Sequence, residues 1–161
     1  MSRSALAAIL ALLLAGCAAA EPPAATAPTP AGTTLPAMIV HKHESCGCCG
    51  HWIEHMREAG FTVEARNVDD MGPAKQAAGV PYTMGSCHTA MVDGYFIEGH
   101  VPAADVLRLL RERPAARGLA LPGMPLGSPG MEHPDGLSEP YTVSLVLADG
   151  SVQPFSRHPP D

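Results

Sequence analysis

Three cysteines within four residues, Cys46-Gly47-Cys48-Cys49, constrain this chain more than any other feature. They lie between an apolar run, Ala37-Met38-Ile39-Val40, and a helix-like run from Trp52 to Ala59. Thiols at a strand-to-helix junction meet the positive end of the helix dipole, which favours the thiolate. Cys46 and Cys49 can face each other across the first helical turn, as disulfide exchange or metal binding requires. Cys48 discriminates between the two uses: an exchange pair is complete with two cysteines, and a third beside them invites scrambling. A metal site instead gains a ligand. A fourth thiol, Cys87, follows in Ser86-Cys87-His88-Thr89.

Four thiolates suit Zn(II), Cu(I) or an iron–sulfur cluster. The split is three plus one, and adjacent Cys48 and Cys49 project in different directions. That disfavours one tetrahedral ion and favours several bridged ions, for which Cu(I) is the soft choice. Two structural disulfides are a further use, with three possible pairings. Cys46, Cys48 and Cys49 are too crowded to staple separate elements efficiently.

The remaining elements can be read in order. Residues 37–43 read as a strand, 44–48 as a loop, and 49–59 as a helix stopped at Gly60. Residues 61–65 alternate as a strand, and 70–78 form a short helix with Pro73 in its first turn. Val80-Pro81 is an extended step. Residues 89–92 and 95–98 flank Asp93-Gly94 as a hairpin. Residues 103–112 carry a helical apolar face of Val106, Leu107, Leu109 and Leu110. Residues 113–140, rich in Pro and Gly, read as irregular, and 141–147 with 151–155 as a final hairpin. This order resembles the thioredoxin-like α/β architecture: a mixed sheet with flanking helices, followed here by a Pro/Gly-rich C-terminal extension ending in a hairpin. That resemblance makes Pro81 the candidate for a cis-proline facing the cysteines.

The N-terminus reads as a leader. Arg3 gives a short positive region, and residues 5–15 are an apolar stretch too short to span a bilayer. Leu14-Ala15-Gly16-Cys17 resembles a bacterial lipobox, which implies a signal peptide of residues 1–16 and a lipidated Cys17. Residues 17–36, rich in Ala, Pro and Thr, then read as a tether. The domain is expected over residues 37–156, with a tail at 157–161. The expected location is the periplasmic side of the envelope, anchored to the outer membrane. With a formal charge of −6 and no Lys/Arg run, the chain lacks the basic footprint of a nucleic-acid binder.

Eight Met and eight His supply copper-compatible donors. Met84, Cys87 and His88 share one loop, and Met124, Met131 and His133 another. Met84, His88, His51, His55, Met124 and Met131 are therefore secondary ligand candidates. Met56 and Met91 read as core fillers, and His41, His43 and His158 as surface residues. His55 shares a helix face with Trp52 and reads equally well as a semi-buried structural histidine.

Several longer stretches carry a further resemblance: Trp52-x-x-His55, Ser86-Cys87-His88-Thr89-Ala90, Glu98-Gly99-His100-Val101-Pro102-Ala103, and residues 121–132, Leu-Pro-Gly-Met-Pro-Leu-Gly-Ser-Pro-Gly-Met-Glu. With Cys46-Gly47-Cys48-Cys49 they resemble a bacterial family of unknown function that includes the CopG copper-resistance proteins. The resemblance covers about residues 37–156. It implies an exported protein of copper homeostasis that binds more than one Cu(I) through Cys46, Cys48, Cys49 and Cys87. Its expected partners are copper ions, the membrane through Cys17, and other envelope copper-handling proteins. It reads as a metal-binding protein rather than an enzyme, and as a redox one if it turns over. The competing reading is an envelope thiol–disulfide oxidoreductase using Cys46 and Cys49 alone.

Overall fold

The computed structural model describes residues 34–159. The expected leader, the lipidated Cys17 and most of the tether lie outside the described residues. The chain forms a mixed α/β fold of one seven-stranded sheet and three α-helices. β1 (Met38–Lys42) leads through α1 (Gly47–Glu58) to β2 (Val63–Asn67), which pairs parallel to β1. α2 (Gly72–Ala78) and a 3₁₀ turn at Tyr82–Met84 then reach the hairpin of β3 (His88–Val92) and β4 (Tyr95–Glu98). α3 (Ala103–Glu112) crosses over to β5 (Ala116–Ala120), parallel to β4. β6 (Tyr141–Leu147) and β7 (Val152–His158) close the sheet as an antiparallel hairpin. The strand order is β2-β1-β3-β4-β5-β6-β7. No helix among the described residues is long and apolar enough to cross a membrane.

Side-chain period explains the two faces. α1 buries Cys49, Trp52, Ile53 and Met56, a stripe at helical spacing. It packs with Val106 and Leu109 of α3 against Met38, Val40, Ala90, Val92, Ile97 and Leu119 on one sheet face. Alternate strand residues point the other way. There Phe96, Ala120 and Val146 meet Ala78, Val80 and Met84 from the α2 region. The β3–β4 turn places Asp93 at φ 47° and Gly94 at φ 86°, the left-handed pair that matches strand twist.

Four details differ from expectation. Residues 116–120 are a strand within the stretch expected to be irregular. Ala116-Arg117-Gly118-Leu119-Ala120 lacks β-branched residues because it is a tight inner strand: a Cβ on Gly118 would lie 2.0 Å from the Phe96 carbonyl oxygen. Val80–Pro81 is trans, since His158–Pro159 is the only cis peptide bond among the described residues. Val80 N–H donates to Lys75 O at 3.0 Å and Met84 N–H to Pro81 O at 2.9 Å, a path that ordinary trans geometry accommodates. β2 starts at Val63, because Phe61 is buried and its N–H closes the end of α1 on Met56 O at 3.1 Å. His158 is not a free surface residue. Its Nε2 lies 2.8 Å from Asp105 Oδ2, and its ring stacks on Tyr141.

Candidate metal centre

The site forms where α1 begins. Cys46 occupies the N-cap position in extended conformation, and no side chain caps the helix. The first-turn N–H groups of α1 therefore lack side-chain partners beside the cysteines. Cys46 and Cys49 are joined as a disulfide, with Cα atoms 5.4 Å apart. Cys49 is buried, whereas Cys48 is a free, partly exposed thiol whose Sγ lies 3.6 Å from Cys46 Sγ.

The opposite wall comes from the β3–β4 hairpin ends. Cys87, free and partly buried, immediately precedes β3. His100 returns to it through Gly99, whose φ is 75°. A side chain at Gly99 would meet Leu121 O at 2.4 Å and Ser86 Cβ at 2.7 Å, so only glycine permits this turn. His100 Nδ1 donates to Pro129 O at 2.8 Å, since a carbonyl can only accept. That leaves the Nε2 lone pair facing Cys87 Sγ at 3.0 Å. His88 Nδ1 lies 3.3 Å from the same sulfur. The fully buried His88 ring packs 4.4 Å from the Trp52 ring and edge-on to His100 at 5.0 Å. Trp52 is fixed by its indole N–H on Val101 O at 2.8 Å.

Glu98 supports Cys87 from the other sheet face. Its fully buried carboxylate accepts Ser86 N–H at 2.5 Å and the Thr89 hydroxyl at 2.7 Å, and pairs with the Lys75 ammonium from α2. Ser86 Oγ in turn donates to Gly123 O at 2.5 Å, fixing the segment that carries Met124. Met124 Sδ reaches 3.9 Å from Cys48 Sγ. Gly130, at φ 84°, lies so close to α1 that a Cβ would fall 2.7 Å from Cys48 O and 2.9 Å from Trp52 N.

Burial dominates the electrostatics. It pushes the Cys87 thiol up to about 11, reinforced by the nearby Cys48. It lowers His88 to about 3, with His100 and Lys75 acting the same way. His100 is also lowered by burial, against the opposing pull of Pro129 O and Glu132. The pocket therefore presents a neutral thiol and two neutral imidazoles at neutral pH. A cation entering it displaces the thiol proton and meets a nitrogen lone pair.

The structure brings together the four principal candidates: the sulfur atoms of Cys46, Cys48, Cys49 and Cys87 all lie within 4.8 Å of one another. Met124 and His88 join them. Four secondary candidates do not. His55 Nε2 accepts the Ala103 N–H at 3.0 Å and so caps α3. Met84 packs against the Phe96 cluster on the far sheet face. His51 stands exposed on α1. Met131 is fixed by backbone bonds to Ser128 and Gly127, and its sulfur makes no hydrogen bond to a cysteine among the described residues. The residue that sequence reasoning left without a role is His100. Its signal was Glu98-Gly99-His100, where a glycine directly after a strand turns the next side chain back.

The fold and the site define a small mixed α/β protein with four cysteines gathered at one end of its sheet. The family described as "Protein of unknown function, DUF411" matches residues 84–131. Two solved structures, "Copper resistance protein copG" Form 1 and Form 2, are each 47% identical with a TM-score of 0.73. The match covers 78% of this chain and 98% and 99% of theirs. No curated protein matches. The chain belongs to the DUF411 family that contains the CopG copper-resistance proteins.

Proposed function

We propose that this protein is an exported copper-binding protein of copper homeostasis, holding more than one Cu(I) as a thiolate cluster on Cys46, Cys48, Cys49 and Cys87. The observation that carries the reading is the convergence of four sulfur atoms within 4.8 Å from two separate parts of the chain. Thiolates bridge Cu(I) readily, so four of them this close together hold several ions. Met124 adds a thioether at the open side. The copper-resistance names of the solved relatives support the same ion. The proposal includes a thioredoxin-like core, supported by the β2-β1-β3-β4 order and the cysteines at the start of α1. It also includes a lipid anchor on Cys17 and exchange of copper with other envelope proteins.

The Cys46–Cys49 disulfide favours a redox-coupled variant of this reading. Two Cu(II) ions take one electron each as the Cys46 and Cys49 thiolates form one S–S bond, giving two Cu(I) and a disulfide. The disulfide at a helix start also keeps the oxidoreductase reading in view, in which Cys48 is dispensable.

Metal and thiol counts on anaerobically reduced full-length protein test the proposal. More than one Cu(I) per chain with no free thiol among the four is the expected result. Unchanged copper stoichiometry in both Cys48→Ser and Cys87→Ser variants overturns the cluster. Disulfide exchange by metal-free protein that survives Cys48→Ser establishes the oxidoreductase instead.

A further inference from the structure

Formation of the Cys46–Cys49 disulfide withdraws two of the four thiolates from any cluster. The opposite wall keeps its donors. Cys87 is a free thiol, and one ligand atom each from Cys87, His88 and His100 lies within 4.8 Å of the others. We infer that Cys87, His88 and His100 form a distinct subsite of one thiolate and two imidazoles that holds a single borderline divalent ion while Cys46 and Cys49 are disulfide-bonded.

Three observations carry this. First, the hydrogen bonding within the trio is incomplete. With its one proton the Cys87 thiol donates to His100 Nε2 at 3.0 Å and its sulfur takes the His88 Nδ1–H at 3.3 Å, so the shortfall falls on the other nitrogen of the His88 ring. His88 Nε2 is buried without any partner. An unpaired buried polar group costs about 1–3 kcal/mol, and such groups in folded proteins call for a reason such as an ion. Second, the nitrogen that faces the sulfur on His100 is fixed as the lone-pair bearer, because Nδ1–H is committed to Pro129 O at 2.8 Å. A backbone carbonyl that fixes the tautomer and ring orientation is the usual outer partner of a metal-bound histidine. Third, both histidines are held by the sheet end, the Gly99 turn and the Trp52 ring while Cys46 and Cys49 are disulfide-bonded. The partly exposed Cys48 thiol stands on the open side as a fourth donor.

Donor chemistry sets the ligand class. The Cys46, Cys48 and Cys49 wall is all sulfur and suits Cu(I). One thiolate with two imidazoles suits Cu(II), Zn(II) or Co(II). The inference deepens the copper-binding reading and rests on it for the identity of the ion in the cell. The reduced pocket thus offers an all-sulfur wall, and the disulfide form keeps the mixed subsite of Cys87, His88 and His100.

The test uses the full chain in its disulfide form, with the Cys46–Cys49 bond verified by mass, titrated anaerobically with Co(II). Co(II) is chosen because it is not reduced by thiols and reports its ligands optically. The expected result is one Co(II) per chain, with a thiolate charge-transfer band and nuclear couplings from ¹⁵N-labelled histidine imidazoles. His100→Gln is expected to weaken binding by at least the roughly 10- to 100-fold that loss of a supporting partner costs. His88 is buried against Trp52, so His88→Gln is read only alongside the labelled native protein, which needs no substitution. Absence of Co(II) binding by the disulfide form overturns the inference. So does bound Co(II) without imidazole coupling, or unchanged affinity in His100→Gln. Copper counts on the reduced protein decide the cluster reading separately, and either result can stand while the other fails.

Discussion

His55 provides the sharpest test of the packing around the site, because one bond joins α1 to α3. The first N–H groups of α3 have no partner within the helix. Asp105 and Val106 N–H reach Pro102 O, and Ala103 N–H is taken by His55 Nε2 at 3.0 Å. Ala103 is 4% exposed, so water does not replace that acceptor. His55→Ala removes a bond worth about 1 kcal/mol and leaves a buried donor unpaired at about 1–3 kcal/mol. The expected loss is about 2 kcal/mol. His55→Gln offers a side-chain oxygen to the same N–H without a titrating ring, and should recover most of it.

The pH dependence separates the two variants further. Burial lowers the His55 pKa from its ordinary 6.5, against smaller upward pulls from Glu132 and Glu58. The unfolded chain therefore binds the proton first as pH falls. The His55 contribution is fully present above 6.5 and is lost as pH drops from 6.5 toward the folded value. A protonated Nε2 also cannot accept from Ala103. The ceiling is about 1.4 kcal/mol per pH unit for one group, and solvent screening of this partly exposed ring keeps the slope below it. His88 and His100, lowered by burial, act in the same direction. Urea denaturation of metal-free protein across this pH range should show a shallower acid slope in His55→Gln than in the wild type. A loss of less than about 0.5 kcal/mol in His55→Ala, the range of ordinary surface substitutions, refutes the capping role. A wild-type slope in His55→Gln refutes the titration argument.

Three more outcomes follow from the same geometry. Glu98→Ala leaves Ser86 N–H, the Thr89 hydroxyl and Lys75 without their acceptor, and should cost about 3–5 kcal/mol in urea denaturation while loosening Cys87. Gly130→Ala forces a Cβ against Cys48 O and Trp52 N at a positive φ, so a loss of about 1–3 kcal/mol and weakened copper retention are expected. Met124→Leu keeps the bulk of a half-exposed side chain and removes its sulfur. Stability should change by less than about 1.5 kcal/mol, while competition against a Cu(I) chelator shows lower affinity.

Legibility in the sequence followed the range of the interactions. α1, α3 and the two hairpins were readable because their signals are local: the Cys49, Ile53, Met56 stripe, the Val106 and Leu109 face, and the Asp93-Gly94 and Asp149-Gly150 turns. β5 was not, because Gly118 reflects a neighbouring carbonyl rather than any local period. The four thiols were readable as a group because cysteine has few other uses at such spacing. His100 could not be assigned from its neighbours, since the carbonyl that orients it belongs to Pro129, 29 residues away. His55 was ambiguous for the same reason, its partner lying 48 residues downstream.

The placement of the centre has a topological cause. β1 ends at Lys42 opposite His88, the first residue of β3, and Thr89 pairs with Glu98 at the end of β4. Glu98 also pairs with Ala120, the last residue of β5. The C-terminal ends of β1, β4 and β5 and the start of β3 therefore share one sheet edge, where ligands gather in open α/β sheets. The candidate donors all lie at that edge: Cys46 at the N-cap of α1 with Cys48 and Cys49 in its first turn, Cys87 just before β3, His88 at its start, His100 after β4 and Met124 after β5. Strand alternation then splits the support between two faces. His88 points into the apolar side against Trp52, while Thr89 and Glu98 point to the α2 side and meet Lys75. Ser86 N–H bonded to Glu98 ties that second face to the residue before Cys87. Lys75 is thus linked to the residue before Cys87 through one carboxylate and one backbone N–H. Lys75→Met should accordingly weaken copper retention more than its 22% side-chain exposure alone would suggest, because it leaves the Glu98 charge buried and unpaired.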